Sequence, residues 1–184
     1  MSHAVKVNLA CGKRRIPGFV HVDSDPYEHL DHQADMRELP FFADDSVDLL
    51  YCCHAFNYLS DEDAVRALRE WRRVLKPGGC LRLAVPDLDA CARAYLFFRD
   101  LKLVKRLITG YYENKQGVLW HRAVYDEPTL CSLLAANGFI NVARYDWRET
   151  EHADCDDYSQ AYLPHMDKEN GLLMSLNVQG FKPT

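Results

Sequence analysis

Five short stretches of this 184-residue chain hold the residue types that could act on a ligand. Asn8-Leu9-Ala10-Cys11-Gly12 is a small-residue turn, which lets backbone approach a ligand closely and aim N–H groups at it. Asp23 follows a short apolar run and can accept hydrogen bonds from the hydroxyls of a ribose. Asp35, followed by Met36, can accept from the exocyclic amine of an adenine. Cys52-Cys53-His54 and Pro86-Asp87 end two further apolar runs. Taken singly, a strand-end Asp also reads as a turn cap. GxGxxG is absent, because Gly12 runs into Lys13-Arg14-Arg15. Asp23 also arrives sooner than the acid about 20 residues on that a dinucleotide site uses, so a mononucleoside is favoured.

The elements that must position these residues are legible from periodicity. Val5, Val7 and Leu9 alternate with Lys6 and Asn8 as a strand, and Phe19 to Val22 is a second. The stretch between them is too short for a crossover helix. His32 to Ala34 and Ser46 to Cys53 read as the third and fourth strands. Ser60, with Asp63 three residues on, caps a helix that stops before Pro77-Gly78-Gly79. Cys80 to Val85 is a fifth strand, and a helical pattern then runs from Leu88 to about Ile108. Gly110 to His121 is irregular and aromatic. Glu127 to Ala136 is a helix closed by Asn137-Gly138. Ile140 to Trp147 and Leu172 to Phe181 are two last strands, with an acidic, turn-rich run from Glu151 to Gly171 between them. This alternation predicts one Rossmann-like, doubly wound α/β domain over residues 1–184: a mostly parallel sheet, helices on both faces and an antiparallel edge pair. Ligands of such sheets lie past the carboxyl ends of the strands.

Composition excludes several classes. The net charge of −5 argues against a partner bound through its phosphates, so no nucleic acid is expected. The basic stretches Arg66 to Lys76 and Arg99 to Arg106 read as solvated helix faces. No apolar run approaches the roughly 20 residues of a membrane span, and no membrane partner is expected. Seven cysteines without a CxxC pair, and no secretory leader, predict reduced thiols in the cytoplasm. His29-x-x-His32 and His152-x-x-Cys155 with Asp154, Asp156 and Asp157 bring ligand types together, but no spacing completes a tetrahedral set, so no metal is expected.

In order, the segments VNLACG, VHVDSD, ADMRELPF, DDSVDLLYCCHAFNYL and REWRRVLKPGGCLRLAVPD resemble the class I S-adenosylmethionine-dependent methyltransferases, particularly the ubiquinone/menaquinone methyltransferase-like group (methyltransferase type 11). A helix ending in RVLKPGG before an apolar strand is the most specific of these pieces. YDEPTLCSLLAANGF, Tyr125 to Phe139, resembles a later helix of the same family. The resemblance implies S-adenosyl-L-methionine as cofactor. Asn8, Ala10 and Gly12 would line its methionine end, Asp23 would hold the ribose, and Asp35 with Met36 would contact the adenine. Cys52, Cys53 and His54 would lie beside the sulfonium, mostly through backbone. Three features depart from the family: Asn8 and Ala10 in the first turn, the stub after Gly12, and Asn57-Tyr58 in place of a Glu-His pair.

The methyl of a sulfonium is already activated, so alignment of the acceptor supplies most of the rate. His54 is the first candidate for a general base, with Asp87 and His121 behind it; a histidine there also reads as one bonded to the backbone. The pocket roof must come from segments of about 88–125 and 148–171, where Tyr95, Tyr111, Tyr112, Trp120 and Tyr158 concentrate aromatic surface, or from a second subunit, which admits a homodimer. The default acceptor is a small molecule. Two rivals stand beside this reading: a non-catalytic regulator or degenerate protein that binds S-adenosylmethionine or S-adenosylhomocysteine, and an NAD-type oxidoreductase, which the missing glycine fingerprint opposes.

Overall fold

The computed structural model describes residues 4–114 and 117–184. Five strands run parallel: β1 (Lys6–Leu9), β2 (Val20–Asp23), β3 (His32–Gln33), β4 (Val47–Cys53) and β5 (Leu75–Pro86), in spatial order β3-β2-β1-β4-β5. Between β4 and β5 lies α1 (Asp61–Val74). After β5 come α2 (Leu88–Phe98), α3 (Leu101–Thr109), the hairpin strands β6 (Tyr112–Asn114) and β7 (Gly117–Leu119), and α4 (Glu127–Ala136). The chain finishes with β8 (Ile140–Arg144), the short pair β9 (Tyr162–Leu163) and β10 (Leu172–Leu173), and β11 (Ser175–Phe181). β11 pairs antiparallel with both β5 and β8 and so forms the antiparallel edge of a seven-stranded sheet.

Local chemistry explains the helix ends. Ser60 accepts the N–H of Asp63, and Asp61, Glu62 and Asp63 put negative charge at the positive end of α1. The buried side of α1 is Ala64, Ala67, Leu68, Trp71 and Val74, which meets Val7, Leu9, Leu50, Leu81 and Leu83 of the sheet and Leu130 and Leu134 of α4. The helix expected from Leu88 to Ile108 is two helices. Arg99 turns left-handed (φ 54°) and Asp100 caps α3 by accepting the N–H of Lys102. An Asp inside an apolar repeat offers the backbone a cap in place of the next helical turn, and it wins here. The final strand is likewise split at Met174, which bonds back to Ala161.

Helices α1 and α4 cover one face of the sheet. The links after β1, β2 and β3 hold no helix, so the opposite face needs another cover where helices were expected. It comes from the run between β8 and β9, which carries two 3-10 turns, Trp147–Glu149 and Tyr158–Gln160. On that face Ile16, Phe19, Leu49 and Tyr51 pack together with Cys53, Cys80 and Cys155. The Tyr51 hydroxyl donates to Asp157 at 2.6 Å, and the His152 ring lies 4.1 Å from the Tyr51 ring. A buried carboxylate with several donors ties a turn to a strand more specifically than apolar contact alone.

Candidate active site

Because β1 to β5 are parallel, their carboxyl ends share one edge of the sheet. Strand order reverses between β1 and β4, and there the turn after β1 stands beside the end of β4, with Leu9 paired to Cys52. Ala10 (φ 50°) and Gly12 (φ 58°) both adopt left-handed backbone, which folds the turn over the strand ends. A Cβ built on Gly12 would meet nothing within 4 Å, so the turn borders open space. Asn8, on β1, is buried.

Asp23 ends β2 and is 8% exposed. One carboxylate oxygen accepts the Gly12 N–H at 2.8 Å and the other accepts the Asp25 N–H at 2.9 Å. Each oxygen keeps a further lone pair, enough for two hydroxyl donors. Burial pushes the carboxyl above its ordinary range, against the pull of those backbone bonds. Asp35 lies two residues past the end of β3. Its oxygens are gripped by Arg37, at 2.9 Å through Nε and 2.6 Å through Nη2, and Arg37 also reaches Asp63 of α1. Burial raises the Asp35 carboxyl, but the Arg37 bonds outweigh it and hold it below the usual range. Met36 packs against the main core, and its carbonyl accepts from the Trp71 indole at 2.7 Å.

Cys52 is fully buried and its thiol is pushed up to about 12, chiefly by burial; burial also drives Cys53 far above the ordinary thiol range. Both are neutral thiols at physiological pH, which removes nucleophilic cysteine chemistry here. His54 follows with left-handed backbone (φ 52°), and its N–H still pairs with Ala84 of β5. Its ring is fixed by a relay. The Asn177 amide donates to the Ser159 carbonyl at 2.9 Å, which turns its oxygen toward the Ser175 hydroxyl at 2.8 Å. Ser175 therefore gives its proton to Asn177 and accepts from His54 Nε2 at 3.1 Å. That arrangement leaves His54 Nδ1 as the nitrogen with a lone pair. Burial, then His121 and Arg14, push the imidazole down to about 3. The ring is neutral across the physiological range and bonds to a hydroxyl rather than to a backbone carbonyl.

Aromatic groups surround this point. Tyr158 lies 5.3 Å from the His54 ring, with the Arg14 guanidinium 4.8 Å above Tyr158. His121 meets Tyr58 edge-on at 4.7 Å and bonds the Ile108 carbonyl through Nδ1. Tyr112 of β6 sits 6.4 Å from Tyr58, donates to Asp25 and meets the Tyr27 hydroxyl at 3.0 Å, which ties the β6–β7 hairpin to the end of β2. Tyr111 and Trp120 pair with each other at 5.5 Å, and Tyr95 is on exposed α2. Asp87 caps α2 and pairs with Arg144 at 3.1 Å, a structural seat. His29 stacks on Tyr27, His32 on Phe41 and His152 on Tyr51, and among the described residues no three ligand-type side chains gather as a metal site. Two surface grooves, one along α1 at Arg66 and Arg69 and one at Arg93 and Arg144, lie apart from Gly12, Asp23 and His54.

Arg14 over Tyr158, the Ser175–Asn177 relay and the Tyr112–Asp25 tie had no local signal. Ser175 and Asn177 are neighbours in the chain, but the His54 that they hold is 121 residues away, and Tyr112 reaches Asp25 across 87 residues.

Residues 11–83 match the methyltransferase domain family. The chain is 30% identical over 118 residues to a ubiquinone/menaquinone biosynthesis C-methyltransferase of Cellvibrio japonicus, covering 59% of this chain and 45% of that protein. An uncharacterized methyltransferase of Schizosaccharomyces pombe is 30% identical over 128 residues, 62% of this chain and 50% of its own. The chain thus spans about half the length of these relatives. A putative methyltransferase of Haloferax volcanii, solved with its Trm112 activator, superposes with a TM-score of 0.57 at 18% identity, over 98% of this chain and 83% of its own. The Burkholderia thailandensis 1,6-didemethyltoxoflavin-N1-methyltransferase, solved with bound 1,6-didemethyltoxoflavin and S-adenosylhomocysteine, does so at 0.57 and 14% identity, over 98% and 72%. The chain has the fold of these proteins.

Proposed function

We propose that this chain transfers a methyl group from S-adenosylmethionine to a small-molecule acceptor. The observation that carries the reading is the seat of Asp23. It is a buried carboxylate at the switch point, held by the Gly12 and Asp25 N–H groups with acceptor capacity left over, beside a glycine turn that borders open space. In this reading Asp23 takes the ribose hydroxyls, Asp35 and Met36 flank the adenine, and Asn8, Ala10 and Gly12 attend the methionine end. Backbone at Cys52, Cys53 and His54 borders the sulfur.

When bound, the cofactor supplies an already activated methyl. The protein's part is then to orient the acceptor and exclude water. In this reading His54 Nδ1 accepts a hydrogen bond from the acceptor and so holds its nucleophilic atom in line; a ring with a pKa of about 3 orients better than it removes protons. Segments of about 88–125 and 148–171 form the roof, with Tyr112, His121 and Tyr158 as its inner surface, beside Tyr58. The aromatic lining and the net charge of −5 support a small molecule over a polyanion. Calorimetric titration with S-adenosylhomocysteine, followed by detection of that product from S-adenosylmethionine across an acceptor panel, tests the proposal. Saturable binding and acceptor-dependent product are expected; absence of binding by either nucleoside overturns it.

A further inference from the structure

The turn between α2 and α3 is built unlike the rest of the surface. Ala90, Cys91 and Ala94 of α2 and Val104 of α3 face inward, against Met174. At the turn itself large apolar side chains stand in water: Phe97 is 81% exposed and meets the Phe98 ring edge-on at 4.9 Å, and Leu96 is 59% and Leu101 57% exposed. Three large apolar residues within six positions, left in water at the tip of a helix pair, form a contiguous patch that calls for a partner. Arg99, Lys102 and Lys105 surround the tip, all exposed, and none of them makes an ion pair among the described residues. From Leu88 to Thr109 the chain has five cations and two carboxylates, whereas the whole protein has a net charge of −5. Free cations around a projecting apolar tip, on an otherwise acidic molecule, complement a surface that is anionic outside and apolar beneath. Read from sequence alone, Arg99 to Arg106 was a solvated helix face. The exposure of Leu96, Phe97 and Leu101 changes that reading.

We propose that the α2–α3 turn docks the protein on anionic lipid bilayers, with Leu96, Phe97 and Leu101 entering the headgroup boundary and Arg99, Lys102 and Lys105 meeting lipid phosphates. No helix among the described residues is long and apolar enough to cross a membrane. The contact proposed is a peripheral one, through a few side chains at the headgroup boundary. The chemistry of the patch favours a bilayer over a protein partner: exposed cations stand beside exposed apolar side chains, and a lipid surface offers phosphates above an apolar layer.

Co-sedimentation of the full chain with phosphatidylglycerol/phosphatidylcholine vesicles, and with phosphatidylcholine alone, tests this. Pelleting with the anionic vesicles, weakened by salt, is expected. Leu96→Ser with Phe97→Ser lowers partitioning roughly tenfold or more, as loss of two buried apolar side chains requires. Lys102→Glu with Lys105→Glu does the same at low salt. Both double variants keep a melting temperature close to the parent's, since these side chains are mostly exposed and the serine pair gives up the ring contact of Phe97 with Phe98. Failure to pellet with any vesicle overturns the proposal, as does pelleting that ignores lipid charge or survives the serine pair. Self-association that the serine pair abolishes, without vesicle binding, would instead make a second copy the occupant and overturn it too.

Discussion

Replacing Asp23 by Asn removes a charge while keeping size, and the structure sets how much that costs. The carboxylate accepts two N–H groups, Gly12 at 2.8 Å and Asp25 at 2.9 Å, one on each oxygen. Asn has one carbonyl oxygen, so its NH2 must face one of those donors; leaving a buried N–H unpaired costs about 1–3 kcal/mol, which falls on folding. Binding suffers separately. One ribose hydroxyl loses its acceptor and the other loses the charge on its acceptor, together about 2–4 kcal/mol, or roughly 30- to 1,000-fold in Kd. Titration calorimetry with S-adenosylhomocysteine measures the second effect, and thermal unfolding without ligand measures the first. The pH dependence adds a signature. Burial raises the Asp23 carboxyl above 3.8, and the charged form is the better acceptor for two hydroxyls. Affinity is therefore full well above that raised value and declines as pH falls through it, a decline the Asn variant lacks. An Asn variant that melts normally and binds within threefold of the parent would refute the reasoning.

Three further outcomes follow from the same contacts. Tyr51→Phe removes the 2.6 Å bond to buried Asp157 and should cost about 1.5–3 kcal/mol in a urea titration, because the bond is charge-assisted and leaves a carboxylate short of a donor. His152 is 2% exposed, has no partner on either ring nitrogen and is pushed down to about 4 by burial. The unfolded imidazole, near 6.5, binds protons first, so its share of stability is full above that value and falls toward pH 4 by up to about 1.4 kcal/mol per unit; unfolding across this range checks it, with His152→Phe removing that share of the slope and leaving the one that buried His54 contributes. Gly110→Ala would put a methyl 2.2 Å from the His121 ring at a φ of +63°. It should displace His121 from Tyr58 and lower thermal stability by about 2 kcal/mol or more, with the histidine shift visible by NMR.

The parts of the fold written in short-range pattern were legible. Alternation gave the strands, Ser60 and Asp87 marked helix starts, and Asn137-Gly138 marked a stop. The strand-end positions of Asp23, Asp35 and His54 also followed, because a parallel sheet brings the ends of its strands to one edge. Asp100 was misjudged inside a helical repeat, since apolar periodicity on both sides hid a cap that depends only on one side-chain bond.

What the residues alone determined is thus which positions end the strands and what hydrogen-bonding chemistry those positions possess. Only the folded chain decided how that chemistry is committed: Asp35 to Arg37, His54 to Ser175, Tyr51 to Asp157, and Arg14 beneath the run that replaces helices on one face. Arg37 is two residues from Asp35, but Tyr51 and Asp157 are 106 apart, His54 and Ser175 are 121 apart, and Arg14 also donates to the Asp156 carbonyl across 142 residues. Local pattern reports the periodicity of the backbone, whereas a long-range polar contact depends on how loops without periodicity are laid over the sheet, and that is set by the burial of the whole chain.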